Sequence, residues 1–156
     1  MDEVIIIVAD GRLARFYRVV SPDGPRVRGQ LEETASLQHP DNEARPSAAG
    51  PPTETNTNRQ AGPVHPIVAQ RERHGLEHDR RFTGDIAHTA AAATRDWTRG
   101  AVVLVAEPRM LGLLREPLRK ALHPAIGLKE IARDYAQLNP SDLYGHLVDK
   151  GIVPAR

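Results

Sequence analysis

The fold is decided by one stretch close to the N-terminus, Val4-Ile5-Ile6-Ile7-Val8-Ala9-Asp10-Gly11. Its first six residues are all apolar, which is typical of an interior strand that is covered on both faces of its sheet. Asp10-Gly11 then predicts a tight two-residue turn, because both residue types tolerate positive φ. A second apolar run at residues 101–106 predicts another strand of the same kind.

Three further strands are predicted around these two. Residues 12–20 alternate, with Ala14 and Phe16 on one face and Tyr17 on the other. From residue 27 the odd positions up to Leu37 form one face and the even positions are polar, which indicates a strand with one wet face. Residues 126–132 predict the last strand.

Three helices are predicted from apolar spacing and from end signals. Residues 76–97 carry a core-facing stripe, and Gly84 weakens this helix by about 1 kcal/mol relative to alanine. The next helix begins at Pro108, and Pro117 predicts a kink or a restart within it because the ring removes a hydrogen bond. Asn139 caps a final helix that ends at Gly151. The first stripe consists of Phe82, Ile86, Ala90, Ala93 and Trp97, and the second of Leu111, Leu114, Leu118 and Leu122.

This order of elements predicts a single α/β domain over residues 1–156. Three meandering strands followed by helix–strand units are typical of a ribonuclease-H-like mixed sheet with helices on both faces. Strands joined through a helix should be parallel with right-handed crossovers, which gives the strand order 3-2-1-4-5.

A proline-rich segment at residues 39–66 interrupts the pattern. It contains six prolines and has no apolar period. Structureless loops longer than roughly 12–15 residues inside compact domains are usually functional or disordered. We therefore expect a mobile insertion at this point.

Bulk composition excludes several classes of function. The formal net charge is +1, so no global basic field attracts nucleic acid, and any such contact needs a local patch. The absence of cysteine excludes disulfides, thiolate metal sites and cysteine nucleophiles. Neither a signal peptide nor a membrane-spanning stretch is evident, which favours a cytoplasmic protein. No glycine-rich phosphate loop occurs, and we expect no cofactor.

Three acidic residues follow the ends of strands that should be neighbours, namely Asp10, Glu107 and Asp134. Ligands of open α/β sheets gather at that edge, and clustered carboxylates there could hold two divalent metals for phosphodiester cleavage. The structural alternative is equally simple. Asp10 suits a tight turn, Glu107 suits a helix start beside Pro108, and Asp134 suits a loop.

His74 and His78 have the four-residue spacing of a zinc site on one helix face. No third ligand is evident, and His74-Gly75 is predicted to precede the helix. We therefore predict no metal site.

Four arginines cluster where the proline-rich segment meets the first helix, namely Arg71, Arg73, Arg80 and Arg81. The functional interpretation is a contact patch for RNA or phosphate. The alternative is a solvated helix face with ion pairs, since Glu72, Glu77 and Asp79 are interleaved.

Three segments resemble the bacterial host attachment protein family. The hairpin Val8-Ala9-Asp10-Gly11-Arg12-Leu13-Ala14-Arg15-Phe16-Tyr17 is similar to the family's opening, and Val103-Leu104-Val105-Ala106-Glu107-Pro108-Arg109-Met110-Leu111-Gly112-Leu113-Leu114-Arg115 is similar to its strand-to-helix hallmark. The segment Ile131-Ala132-Arg133-Asp134-Tyr135-Ala136-Gln137-Leu138-Asn139-Pro140-Ser141-Asp142-Leu143 resembles its closing strand and helix. The likeness covers nearly the whole chain apart from the proline-rich segment.

That family is similar in fold and element order to the middle domain of archaeal and eukaryotic peptide-chain release factors. There, a Gly-Gly-Gln tip on the loop before the long helix helps to hydrolyse peptidyl-tRNA. The corresponding segment here, residues 39–75, lacks Gly-Gly-Gln, and its closest match is Asn58-Arg59-Gln60-Ala61-Gly62. Gln60 is thus the candidate for a retained catalytic role, although Asn-Arg lacks the conformational freedom of two glycines.

The sequence therefore predicts a non-enzymatic cytoplasmic binding module that contacts the ribosome or structured RNA. One alternative is a metal-dependent nuclease or other hydrolase that uses the three carboxylates. Another is a protein-interaction factor linked to attachment, in which the proline-rich segment orders on an unidentified protein partner.

Overall fold

The structure, a computed structural model, describes residues 3–20, 29–40 and 65–153, with side chains from residue 76 onward in the last range. These residues form five strands: β1 (Glu3–Ala9), β2 (Leu13–Val20), β3 (Gln30–Gln38), β4 (Gly100–Ala106) and β5 (Ile126–Ala132). They also form three helices: α1 (His65–Ala93), α2 (Pro108–Ala121) and α3 (Pro140–Asp149). Apart from its two ends, the predicted mobile insertion at 39–66 lies outside the described residues.

The strands form one mixed sheet in the order β3-β2-β1-β4-β5, as predicted. The β1–β2 and β2–β3 pairs are antiparallel, whereas β1–β4 and β4–β5 are parallel. The α/β class and the strand order are therefore confirmed. The likeness to the release-factor domain stays a prediction.

Both faces of the sheet are covered, which explains the fully apolar strands. Side chains of α1 and α2, including Phe82 and Leu114, pack on one face with Ile5 and Ile7 of β1. On the opposite face, α3 and the segment before it pack against Ile6 and Val8 of the same strand. The alternate residues of β1 and β4 therefore belong to two separate cores.

A β-bulge in β3 corrects the predicted single apolar face of that strand. Phe16 pairs with Ala35 but Tyr17 pairs with Glu33, so Thr34 is an extra residue without a partner position. One inserted residue reverses the alternation. As a result, Ala35 packs on the α1 and α2 side while Leu31 packs on the α3 side.

Helix α1 begins at His65 rather than at residue 76, and it ends at Ala93 rather than at Trp97. The apolar stripe marks only the portion that faces the core, and Phe82 is the first described side chain of α1 to be buried there. Residues 69–73 are all good helix formers, and Pro66 is tolerated in the first turn. His74 and Gly75 therefore lie inside the helix. Trp97 still packs partly buried on the same core, although it lies in the turn after α1.

Helix α2 continues through Pro117 without the predicted restart. Leu114 and Leu118 are fully buried on either side of the proline. Their packing outweighs the loss of one backbone hydrogen bond, because tertiary burial supplies most of the stability of a helix in a protein.

Candidate functional site

The carboxyl ends of the three parallel strands meet at one edge of the sheet. Ala9 pairs with Ala106, which in turn pairs with Ala132. Asp10 and Glu107 directly follow their strands, and Asp134 comes two residues after β5. The structure therefore places the three predicted acidic positions at the same edge.

Asp10 has a structural task at this edge. Its Oδ1 accepts hydrogen bonds from the amides of Arg12 and Leu13 at 2.7 and 2.8 Å, and its own amide donates to the Leu13 carbonyl at 3.0 Å. The connection between β1 and β2 thus has three residues, and Gly11 is not among the described glycines with positive φ. The side-chain acceptor closes the turn in place of the special backbone conformation that the sequence predicted.

Glu107 and Asp134 are both exposed, and Glu107 is the N-cap residue of α2 without a side-chain capping bond. Within the described ranges, no three His, Asp or Glu side chains are grouped so that they could hold a metal ion. The hydrolase alternative stays a prediction.

A polar cluster around one buried histidine, which the sequence did not predict, lies at the same edge. His39 directly follows β3 and is only 3% exposed. Its Nε2 lies 2.7 Å from Oδ1 of Asp79 on α1, and Oδ2 of Asp79 accepts a hydrogen bond from Arg109 on α2 at 3.1 Å. One carboxylate therefore joins the end of β3 to both helices of that face.

Aromatic contacts and a backbone bond hold the His39 ring in this position. The ring centroid of Phe82 lies 5.1 Å away, and the ring of His78 meets that of His39 edge-on at 6.3 Å. The amide of His39 donates to the Arg12 carbonyl at 2.8 Å, which fixes the residue beside the β1–β2 turn. No local sequence signal pairs His39 with Asp79, since 40 positions separate them and only the fold brings them together.

The predicted arginine cluster is described in part. Arg71 and Arg73 lie within α1, but their side chains are outside the described set, and Gln60 is outside it altogether. Arg80 and Arg81 are exposed, and neither guanidinium has an ion-pair partner among the described side chains. The interpretation of the four arginines as a contact patch therefore stays a prediction.

Asp79 lies directly before these two arginines, yet it does not pair with them. Both of its carboxylate oxygens are engaged by His39 and Arg109. Glu77 is exposed and forms no ion pair with a described residue. The charge of Arg80 and Arg81 is thus left available to solvent or to a ligand.

The first half of α1 precedes the contact of this helix with the strand ends. The helix has 29 residues, and its contact with the sheet edge comes at Asp79. With a rise of 1.5 Å per residue, the helix start lies about 21 Å further along the axis than Asp79. We call residues 65–81 the arm of α1; it carries all four predicted arginines.

A pocket of about 600 Å³ lies away from this edge, between the start of β3 and the start of α3. Its lining includes Gly29, Ser141 and the buried Tyr144. Asn139 also lines it, but the amide oxygen of this side chain already accepts a bond from the Asp142 amide that caps α3. This amide oxygen is therefore committed to the helix cap.

Comparisons with known proteins identify the family of the chain. No helix in the described part of the chain is long and apolar enough to cross a membrane. A search of curated proteins finds no match. A family model described as "Protein required for attachment to host cells" matches residues 5–147. This match includes most of β1, the other four strands and most of α3, so the chain belongs to the host attachment family.

Proposed function

We propose that the protein is a non-enzymatic binding module that contacts the ribosome or structured RNA through the arm of α1. The observation that carries this proposal is the exposure of Arg80 and Arg81 without ion-pair partners among the described side chains. Arginine suits this task because its planar guanidinium donates paired hydrogen bonds to phosphate oxygens.

The small net charge makes the location of the basic residues decisive. With a formal charge of +1, the molecule as a whole attracts RNA weakly. The carboxylate of Asp79 pairs with His39 and Arg109 and not with the neighbouring Arg80 and Arg81. Arg80 and Arg81 lie on the exposed surface of α1, where a phosphate backbone can approach them.

The resemblance to the release-factor middle domain adds support of a different kind. In that domain the segment before the long helix enters the ribosome. Here the same segment precedes α1 and lacks Gly-Gly-Gln, so contact without peptidyl-tRNA hydrolysis is the role that fits. A cytoplasmic location is part of this proposal.

Hydrolysis at the sheet edge is less well supported by the geometry. The Oδ1 atom of Asp10 already accepts two backbone hydrogen bonds, and binding a metal there would compete with the turn. The role of an attachment-linked interaction factor remains compatible with family membership, and the experiment below separates it from RNA contact.

Co-sedimentation with purified ribosomal subunits tests the proposal, together with binding of a labelled RNA hairpin. We expect binding at low salt that is clearly weakened, though still measurable, in the Arg80→Ala/Arg81→Ala variant. The matched control is Arg95→Ala/Arg119→Ala, which removes two exposed arginines outside the arm that also have no ion pair within the described part of the chain. Failure of the unmodified protein to bind either RNA at low salt would contradict the proposal.

A further inference from the structure

Strand β5 is the outermost strand on one side of the sheet. Its lateral edge, as distinct from the strand ends discussed above, has no partner strand in the described part of the molecule. The strand pairs with β4 on one side and is the last strand of the sheet order. The outward backbone groups of such an edge are a template for pairing with another extended chain. The seven residues of β5 are enough for a bound peptide to form several main-chain hydrogen bonds.

A groove of about 480 Å³ runs beside the carboxyl-terminal half of this edge. It is lined by Lys150 at the end of α3 and by four consecutive residues of and after β5, namely Glu130, Ile131, Ala132 and Arg133. Ala132 is exposed and small, so an added strand can approach the backbone closely. The groove therefore offers space next to unpaired backbone.

The groove presents positive charge. Arg133 and Lys150 are exposed and form no ion pair with any residue that the structure describes. Lys129, on β5 itself, is also exposed and forms no ion pair with a described residue. The exposed Asp134 and Asp149 are adjacent to Arg133 and Lys150 in sequence, but neither pairs with them.

The acidic residue in the lining is neutralised by α2. Arg115 donates two hydrogen bonds to Glu130, from Nε at 2.8 Å and from a terminal nitrogen at 2.7 Å. These bonds hold the pKa of the Glu130 carboxyl below its usual value. Glu130 is therefore committed to Arg115 and does not compete for Arg133 or Lys150.

The opposite lateral edge of the sheet, formed by β3, is less suited to an added strand. On β3 the bulge at Thr34 disturbs the ladder, and irregular edges discourage strand addition. The carboxylates of β3 are already paired, with Arg15 beside Glu33 at 3.7 Å and Arg18 beside Glu32 at 2.6 Å. Of the two edges, β5 is the one suited to a partner.

We propose that the outer edge of β5 binds an extended acidic peptide as an added strand, with its carboxylates near Lys129, Arg133 and Lys150. This surface is separate from the arm of α1 and does not depend on RNA contact. A second copy of the chain is disfavoured as the occupant. Pairing β5 with β5 would bring the cations of both copies together, and like charges across strands are destabilising.

Fluorescence anisotropy with a labelled peptide of alternating Glu and Val tests this proposal. Two control peptides of the same sequence carry N-methyl groups on alternate residues, one at the odd positions and the other at the even positions. In one of the two, the methylated amides are those that would donate hydrogen bonds to β5. We expect one N-methylated version to bind at least about tenfold more weakly than the unmodified peptide. Binding should also slow amide hydrogen exchange in residues 126–132.

Charge reversal provides the second arm of the test. The variant Lys150→Glu should weaken peptide binding by roughly fivefold or more, whereas Arg95→Glu, an equal charge change on exposed surface outside the groove, should not. RNA binding should be unaffected by Lys150→Glu. Any one of four results would overturn the proposal. These are absence of binding, equal binding of all peptides, no effect of Lys150→Glu, and concentration-dependent self-association that protects residues 126–132.

Discussion

Asp79 is the residue whose loss should disturb the sheet edge most. Its carboxylate contacts the nearly buried His39 and the exposed Arg109, and so ties β3, α1 and α2 together. Removing one partner from a buried polar group leaves the other partner with a desolvation cost. The effect is local, because the apolar core around Phe82 does not depend on the carboxylate.

We expect Asp79→Asn to lower the free energy of unfolding by about 1–3 kcal/mol, because it removes a charged hydrogen-bond acceptor from His39 and Arg109. Urea denaturation followed by circular dichroism measures this change. The control is Glu77→Gln on the same helix, an exposed position where the change should stay within about 0.5 kcal/mol. Equal midpoints for the two variants would show that the cluster contributes nothing to stability.

Glu130 gives a prediction with a defined sign in pH. Its hydrogen bonds from Arg115 lower its pKa in the folded state. This pairing therefore stabilises the protein above the unfolded pKa of about 4.3 and is lost as pH falls through the lower folded value. Unfolding midpoints of the unmodified protein and Glu130→Gln should differ at pH 7 and converge in acid. A difference that grows in acid would contradict the assignment.

At the scale of elements, two glycines differ in the space that is available for a side chain. A Cβ on Gly100, at the start of β4, would lie 2.5 Å from the Glu3 carbonyl oxygen and 2.6 Å from the Trp97 ring. A Cβ on Gly84, within α1, would meet nothing within 4 Å. The same substitution should therefore act in opposite directions at the two positions.

Gly84→Ala should raise the free energy of unfolding by up to about 1 kcal/mol through helix propensity. Gly100→Ala should lower it by about 1–3 kcal/mol, because backbone and a packed indole must move. Thermal unfolding of the two single variants measures the direction of each change in stability. The account of α1 as a regular helix at Gly84 would fail if Gly84→Ala were destabilising.

Element types were predictable where residues meet the core, and boundaries were not. The stripe from Phe82 to Ala90 identified α1, because burial imposes the helical period on those residues. No such period exists in the arm, so its eleven-residue extension to His65 carried no signal. Nor did alternation reveal the bulge at Thr34, since the residues on both sides of it look equally regular in sequence.

At the scale of the whole molecule, one polar cluster joins the sheet to α1 and α2. The order β3-β2-β1-β4-β5 brings the ends of β1, β3 and β4 to one edge, where His39, Asp79 and Arg109 hold α1 against α2. This arrangement fixes the direction of the arm relative to the core. The two proposed binding surfaces, the arm of α1 and the β5 groove, belong to different elements.

The candidate site was predictable only in part. Asp10, Glu107 and Asp134 share an edge because strand ends can be read from apolar runs and the crossover rule. The arginine cluster was visible because its members are close in sequence. The cluster of His39, Asp79 and Arg109 joins three distant segments and has no local pattern, so it required the fold.

The salt dependence of RNA binding tests the central claim most directly. A plot of log Kd against log salt concentration, measured for an RNA hairpin, counts the phosphate contacts that release counterions. We predict that Arg80→Ala/Arg81→Ala reduces the slope by roughly 1.5–2, because each arginine neutralises about one phosphate. Arg95→Ala/Arg119→Ala should keep the original slope. Equal slopes for the unmodified protein and the Arg80/Arg81 variant would contradict the account, since the arm would then not contact RNA.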